Sequence, residues 1–310
     1  TAVEFLKFFS TVIGKYPYKQ YSIIMAGDGG MEYAMCTFIN GVGHPSIYSL
    51  YSVTSHEIAH TWFHFLLATN ESKHSWMDEG FTSYIDDVAL NVVLKQGKAL
   101  PNSAAYNDYF RWVATGLEEP MTTHADRFKY NSGYGMTAYD KGSIFLSQLK
   151  YIIGKENFEN TLKKYFDEWA FKHPKPNDFI RCAEKVSELE LDWYLLDWTQ
   201  STMTIDYSVN SVYGADNKTK VVLKRIGQMG MPIDLQVELI SGEKLNYNIP
   251  MTKMRGSKPI VESTLLASWS WAKPYYEFWI DVSSDLISKI SIDPKNEMAD
   301  INRKNNSLFL

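Results

Sequence analysis

The sequence predicts an α+β protein in which a mostly helical domain is followed by a small all-β sandwich domain. Two observations support this class. In the first two thirds of the chain, apolar residues recur at helical spacing in long segments that glycine and proline interrupt. After residue 204 the apolar period becomes two, and glycines fall between the alternating segments, as in antiparallel strands. We therefore predict domains at 1–203 and 204–300, with 301–310 as a tail.

The first domain is predicted to begin with a small strand region and to continue as helices. Ser22–Met25 and Ala34–Ile39 are short apolar runs on either side of a glycine turn at Gly27–Gly30. Gly154 and a pair of prolines separate the later helices. The predicted helices are 52–68, 76–94, 103–115, 137–153, 155–171, 176–187 and 190–200.

The second domain is predicted to consist of short antiparallel strands. Each alternates apolar and polar residues, which is the pattern of a strand with one buried face. Several such strands separated by glycine-containing turns are typical of a β-sandwich. The predicted strands are 219–226, 233–240, 244–249 and 276–282.

Composition excludes several classes of protein. The chain has 310 residues, 45% hydrophobic and 22% charged, which is a globular and not a disordered profile. The formal net charge of −5, without a long basic block, argues against a nucleic-acid binder or a polybasic membrane clamp. No apolar run approaches the ~18 residues of a membrane-spanning helix, and the compartment is left open. Because the sequence begins with Thr1, we expect a leader or preceding domain to have been removed.

Residues 56–60 read HEIAH, an HExxH pattern. On a helix, residues four apart lie on one face, so His56 and His60 can reach the same metal ion. Glu57 lies about 100° around the helix and can address a water at the metal without binding the ion. Zinc in hydrolases usually has three protein ligands, so a third is required. Glu79, 19 residues after His60 in the next predicted helix, can supply it if a turn makes the helices antiparallel.

HExxH alone also fits a helix with two partly exposed histidines and an ordinary glutamate. The added carboxylate within WMDEGF strongly favours a metal site. His64 lies one turn beyond His60 and is expected to pack or to support the ligands. Asp78 is either a carboxylate behind the ligands or a solvated acid.

A further motif, GGMEY at 29–33, lies upstream, and by itself it fits a hairpin turn with a surface glutamate. GGMEY, HEIAHTWF and WMDEGF together resemble the M1 family of zinc aminopeptidases, which are gluzincins. The resemblance implies a thermolysin-like catalytic domain with one Zn²⁺ per chain and Glu57 as general base. The implied zinc ligands are His56, His60 and Glu79.

The resemblance also assigns residues that contact the substrate. In the family, the glutamate of this strand segment binds the free α-amino group of the substrate, which implies that role for Glu32. The implied neighbouring substrate contacts are Gly29, Gly30 and Met31. Tyr33 occupies a position that is usually asparagine, a difference that concerns local packing or side-pocket preference.

A catalytic tyrosine is implied in the same way. The family has one some sixty residues after its third ligand, in a segment similar to YxKG. Tyr139, in YDKG, lies 60 residues after Glu79 and matches this position. A tyrosine hydroxyl there can donate to the oxyanion of a tetrahedral intermediate. Tyr130 and Tyr134 are nearby alternatives.

The implied function is a zinc-dependent aminopeptidase acting on peptides with a free N-terminus. The resemblance also implies a preceding β domain of the same protein, which this sequence does not include. One alternative is a thermolysin-type zinc endopeptidase, which shares HExxH and the distal glutamate but should lack an amine-binding GGMEY. Another is an inactive binding scaffold. An additional epoxide hydrolase activity is compatible with the resemblance, but no residue selects it.

Overall fold

A computed structural model describes residues 1–27, 29–40, 43–44 and 46–310. The predicted α+β class is confirmed, with helices before residue 200 and mostly strands after it. The helices are α1 (Ala2–Val12), α2 (Ile47–Ala59), α3 (Phe81–Val93), α4 (Ser103–Val113), α5 (Asn131–Gly135), α6 (Gly142–Ile153), α7 (Lys155–Trp169), α8 (Pro176–Ser187) and α9 (Asp192–Thr199). The strands are β1 (Ser22–Ala26), β2 (Gly30–Tyr33), β3 (Cys36–Asn40), β4 (Tyr207–Ala215), β5 (Lys218–Arg225), β6 (Ile233–Leu239), β7 (Lys244–Ile249), β8 (Thr264–Leu265), β9 (Tyr275–Ile280), β10 (Ile287–Ile292) and β11 (Ser307–Phe309).

The described chain divides into two compact units. The first comprises Thr1–Lys150, Lys155–Val186 and Trp198–Thr202. The second comprises Tyr151–Gly154, Ser187–Asp197 and Met203–Leu310. The second unit thus includes helical residues that precede its strands, and the domain division at residues 203 and 204 stays a prediction. None of the described helices has the length and apolarity needed to span a bilayer.

The first unit contains a small sheet with the strand order β1-β3-β2. β1 is parallel to β3 and β2 is antiparallel to it, so β2 lies at an edge. The hydroxyl of Thr37 on β3 donates to the Met31 carbonyl at 2.9 Å and helps to hold this edge strand. The predicted glycine turn between β1 and β2 includes Asp28, which lies outside the described residues.

Helix α2 carries the HExxH segment. The Ser46 side chain caps it by accepting a hydrogen bond from the Ser49 N–H at 3.1 Å, so the helix begins before the predicted residue 52. The prediction of one continuous helix over 52–68 is wrong. α2 ends at Ala59, a π-helical turn follows, and Phe63 leaves helical geometry with φ −119° and ψ 89°.

The break frees the backbone carbonyl group of Phe63 for side-chain contacts. The carbonyl oxygen of Phe63 lies 2.8 Å from Nδ1 of His60 and accepts a hydrogen bond from the Thr82 hydroxyl at 2.9 Å. A continuous helix would have engaged that carbonyl in its own backbone ladder.

Two helical segments of the first unit meet at glycines. Gly80 ends the π-helical turn Trp76–Gly80, and Gly142 begins α6 directly after the π-helical turn Met136–Lys141. A Cβ atom on Gly80 would lie 2.5 Å from the Cα of Gly142, and one on Gly142 would lie 2.7 Å from the Cα of Gly80. Because the clash would be with backbone, no side-chain rotation relieves it, and glycine is required at both positions.

Aromatic side chains fill the core behind this crossing. The ring of Trp76 is 4.9 Å from that of Phe145 and 5.9 Å from that of Phe81. Phe81 in turn contacts Phe63 and Phe179, and these residues are almost fully buried. Burial of such large rings supplies much of the hydrophobic stabilisation of the unit.

The second unit contains two sheets, with the orders β11-β10-β6-β7-β8 and β4-β5-β9. Strand β4 of the smaller sheet contacts β10 and β11 of the larger one. The four predicted strands correspond to β5, β6, β7 and β9. Strands β4, β8 and β10 were not predicted. Serine, asparagine and lysine residues blur the apolar alternation of β4 and β10, and β8 has only two residues.

The expectation of a tail over 301–310 is wrong for its last residues. β11 pairs antiparallel with β10, and the Ser307 hydroxyl donates to that of Ser291 at 3.1 Å. A strand of three residues is too short to show an alternating pattern, and only its pairing partner defines it.

We expect Gly142→Ala to lower the free energy of unfolding by about 1–3 kcal/mol, because the added methyl group forces the two backbones apart. Gly135→Ala is the matched control, since Gly135 has helical φ and ψ and no atom within 4 Å of a built Cβ. There alanine should be neutral or stabilise by up to about 1 kcal/mol. Urea unfolding followed by circular dichroism measures both. Equal stability of the two variants would contradict the proposed steric role.

Candidate metal centre

Three predicted ligand atoms form a nearly equilateral triangle. Nε2 of His56 lies 3.2 Å from Nε2 of His60, and Oε2 of Glu79 lies 3.3 Å from each nitrogen. Ligands about 2.0–2.1 Å from a tetrahedral zinc ion are about 3.3 Å apart. The triangle therefore has the dimensions of three zinc ligands, and the donor set of two imidazoles and one carboxylate suits that ion.

Local structure brings these ligands together. His56 lies in the last turn of α2 and His60 caps its C-terminus, so the two rings project from the same side. Glu79 lies in the π-helical turn that leads into α3, and α3 packs against α2. Burial would raise the pKa of Glu79, but hydrogen bonds with both histidines lower it below its usual value.

Asp78 orients His60. Nδ1 of His60 lies 2.7 Å from Oδ1 of Asp78 and 2.8 Å from the carbonyl oxygen of Phe63. Both are acceptors, so Nδ1 carries the hydrogen and Nε2 offers its lone pair to the triangle. Asp78 is only 3% exposed. Of the two interpretations left open by the sequence, the structure supports the carboxylate behind the ligands.

Asp86 is a further carboxylate near the site that was not predicted from the sequence. It lies on α3, seven residues after Glu79, and is buried. Burial raises the pKa of Asp86 to about 7. Burial lowers the pKa of His56, whereas Glu79 and Asp86 raise it, and the net shift is upward. The spacing of two helical turns from Glu79 is the signal that could have identified this residue.

Glu57 lies beside the triangle and is not one of its corners. It is 7% exposed, and burial raises its pKa to about 7 although both histidines lower it. Its Oε1 lies close to the backbone of β2. A Cβ atom on Gly30 would be only 2.5 Å from this oxygen. Among the described residues, no partner makes a hydrogen bond with Oε2. The arrangement leaves a buried carboxylate oxygen available to accept a proton.

Glu32 lies on the edge strand β2 and is 8% exposed. Burial raises its pKa, and one of its oxygens lies within 4.8 Å of a ring nitrogen of His60. Of the two glycines before it, only Gly30 is sterically required, since a Cβ atom on Gly29 would meet no atom within 4 Å. Met31 is 39% exposed.

Tyr139 contacts two of the three ligands. Its hydroxyl donates to Oε1 of Glu79 at 2.6 Å, and its ring stacks on that of His56 at 6.0 Å. Burial and the Glu79 carboxylate raise the pKa of Tyr139 above its usual value. Tyr134 contacts the ring of Tyr139, and Tyr130 is 43% exposed. Of the three tyrosines considered from the sequence, Tyr139 is the one that donates to a ligand.

Comparisons with known proteins identify the family of the chain. Residues 1–198 match the Peptidase family M1 domain. The chain is 29% identical over 190 residues to aminopeptidase B of Rattus norvegicus, covering 57% of this chain and 29% of that protein. It is 25% identical over 217 residues to leucine aminopeptidase 2 of Chaetomium globosum, covering 63% and 34%. The chain thus spans about a third of the length of the curated relatives it matches.

The fold is also found in a solved structure. The crystal structure of Legionella pneumophila aminopeptidase A in complex with aspartic acid superposes with a TM-score of 0.64 at 16% identity. The match covers 96% of this chain and 33% of that one. At this identity the likeness concerns the fold alone.

Proposed function

The chain belongs to peptidase family M1, and from this premise we propose that it acts as a zinc-dependent aminopeptidase that removes the first residue from peptides. The observation that carries the proposal is the triangle of His56, His60 and Glu79, which has zinc-site dimensions and a free carboxylate, Glu57, beside it. We propose these three residues as the zinc ligands. When bound, Zn²⁺ lowers the pKa of a water towards ~7 and polarises the peptide carbonyl.

Glu57 is the proposed general base. It is buried beside the ligands, and its raised pKa suits a group that both accepts and returns a proton near neutrality. It takes a proton from the attacking water and delivers it to the amine that leaves. Its carboxylate is held in position by close packing against Gly30.

Tyr139 is the proposed donor to the oxyanion. Its raised pKa keeps the hydroxyl protonated at neutral pH, so it has a hydrogen to donate. The hydroxyl donates to Glu79 in the free protein and turns to the substrate oxygen as negative charge develops there.

Glu32 is the proposed anchor for the substrate's amino group. A peptide can extend along β2, whose outer edge has no described strand beside it. Its ammonium group would then pair with the buried carboxylate of Glu32, with Gly29, Gly30 and Met31 as neighbouring contacts. A buried carboxylate without its ammonium partner has a high free-energy cost, which disfavours substrates that lack a free amine. A thermolysin-type endopeptidase would not need this carboxylate, and an inactive scaffold would not need Glu57.

The remaining parts of the proposal concern the rest of the protein. We propose peptides with a free N-terminus as substrates. We also propose that a β domain of the same protein, N-terminal to this chain, completes the amine site. Within the chain, residues 1–203 would form the catalytic domain, and 204–300 together with β11 would form the β-sandwich domain.

We expect Glu57→Gln to keep one zinc ion per chain and to lower kcat by about 10²–10⁴-fold, because an amide cannot accept the proton of the water. Metal analysis of the purified variant and hydrolysis of aminoacyl reporters measure the two properties. Loss of zinc together with activity would contradict the separation between ligands and base.

We expect Tyr139→Phe to lower kcat by about 10²–10³-fold with little change in KM, since the lost hydrogen bond is made mainly in the transition state. Tyr134→Phe is the matched control, because its ring contacts Tyr139 but its hydroxyl does not donate to a ligand. If Tyr134→Phe shows the larger loss, the assignment of the oxyanion donor is wrong.

We expect Glu32→Ala to raise KM and lower kcat for substrates with a free amine, because loss of the anchor also loosens the reacting geometry. The wild type should cleave N-acetylated peptides poorly, since they leave a buried carboxylate unpaired at a cost of about 1–3 kcal/mol. The assay should use the protein with its N-terminal β domain. Cleavage of acetylated peptides at internal bonds, as fast as free peptides at the first bond, would favour the endopeptidase alternative.

A further inference from the structure

We propose that Glu32, His64 and Asp78 form a second, weaker site for a divalent cation such as Zn²⁺, next to the triangle of catalytic ligands. The ligand atoms of these three residues and of His60 lie within 4.8 Å of one another. His60 directs Nε2 to the first site, which leaves two carboxylates and one imidazole for the second. A group of this composition matches the ligand types that divalent zinc accepts.

The three residues converge from separate segments. Glu32 lies on β2, His64 in the π-helical turn after α2, and Asp78 in the turn before α3. Nδ1 of His64 is 2.9 Å from Oδ1 of Asp78. The side chains of His64 and Asp78 are 16% and 4% exposed, so the group is largely buried and His64 lies at its more exposed side.

The two nitrogens of His64 have different surroundings. Nε2 faces Oε2 of Glu71 at 3.6 Å on the exposed side, and Nδ1 faces Asp78. With its hydrogen on Nε2 towards Glu71, the neutral ring offers the Nδ1 lone pair to a cation. Asp78 has two oxygens, so it can keep its contact with His60 and still bind the ion.

The charge of the region also favours a second cation. Glu32, Glu57, Asp78 and Glu79 are all largely buried, and no described side chain of lysine or arginine pairs with them. Asp86 adds a further buried carboxylate near the site. One Zn²⁺ would balance only two of these negative charges when the histidines are neutral, and a second divalent ion would balance two more, which lowers the cost of burying the carboxylates.

Binding at this site has a consequence that rests on the proposed function. Glu32 cannot hold a metal ion and a substrate ammonium at the same time. Excess Zn²⁺ should therefore compete with substrates that have a free amine, and the second ion is inhibitory. The binding of the second ion itself does not depend on the proposed activity.

The direct test is the zinc stoichiometry of the full chain, measured by equilibrium dialysis over a range of free Zn²⁺. We expect the wild type to bind one ion tightly and a second ion more weakly. His64→Gln should keep the first ion and weaken the second at least tenfold. Glu32→Gln should act in the same direction. His124→Gln is the matched control, because His124 is a partly exposed histidine whose charged neighbour is the exposed Asp126, and it should change neither ion.

Retention of the first ion by His64→Gln shows that the variant is folded at the site. A wild type that binds one ion alone, or a second ion that binds His64→Gln as tightly as the wild type, would overturn the proposal. His56→Ala should lose the tight ion. If the wild type lacks the tight ion altogether, the zinc site of the proposed function fails instead, so the two failures are distinguishable.

The kinetic test uses excess Zn²⁺ as an inhibitor of reporter hydrolysis. In the wild type it should raise KM and leave kcat unchanged, as expected for competition with the substrate amine. In His64→Gln the inhibitory concentration should rise at least tenfold. Inhibition that lowers kcat alone, or that is equal in the two proteins, would contradict occupation of this site.

Discussion

The direct backbone contact between Gly80 and Gly142 is the constraint on which the candidate active site depends. Glu79 immediately precedes one glycine, and Tyr139 comes three residues before the other. With no side chain between the two backbones, the tyrosine hydroxyl reaches the glutamate at 2.6 Å. A methyl group on either glycine would lie 2.5–2.7 Å from the opposite Cα atom, so the two segments would have to move apart. Glycine at these positions is thus a requirement of packing that serves the chemistry.

The site brings several carboxylates together in a largely buried region. Burial raises the pKa of Glu32, Glu57 and Asp86, because a charged carboxylate loses hydration there. The histidines favour the charged carboxylates, and a metal ion bound there would do the same, which would couple metal binding to stability. The same excess of carboxylates favours binding of a second cation, which would compete with the substrate ammonium group for Glu32.

The edge strand β2 connects the proposed base with the proposed amine anchor. Gly30 packs directly on Glu57, and Glu32 is two residues further along the same strand. A peptide lying along this edge would therefore meet both carboxylates in a fixed order. This geometry explains physically why the glycine and the glutamate occur together in the GGMEY segment.

The sequence by itself determined the features that depend on local periodicity. The four-residue spacing of HExxH directs His56 and His60 to one side of a helix, and period-two alternation identified four strands of the second unit. The sequence did not determine the break in the helix at Phe63, the choice between the two roles of Asp78, or the pairing of β11 with β10. Each feature depends on contacts made by the folded chain. The Phe63 carbonyl contacts His60 and Thr82, Asp78 contacts the ring of His60, and β11 pairs with β10. Only the tertiary structure decided them, because the free energy that selects such contacts comes from long-range packing and hydrogen bonding and leaves no periodic signal in the chain.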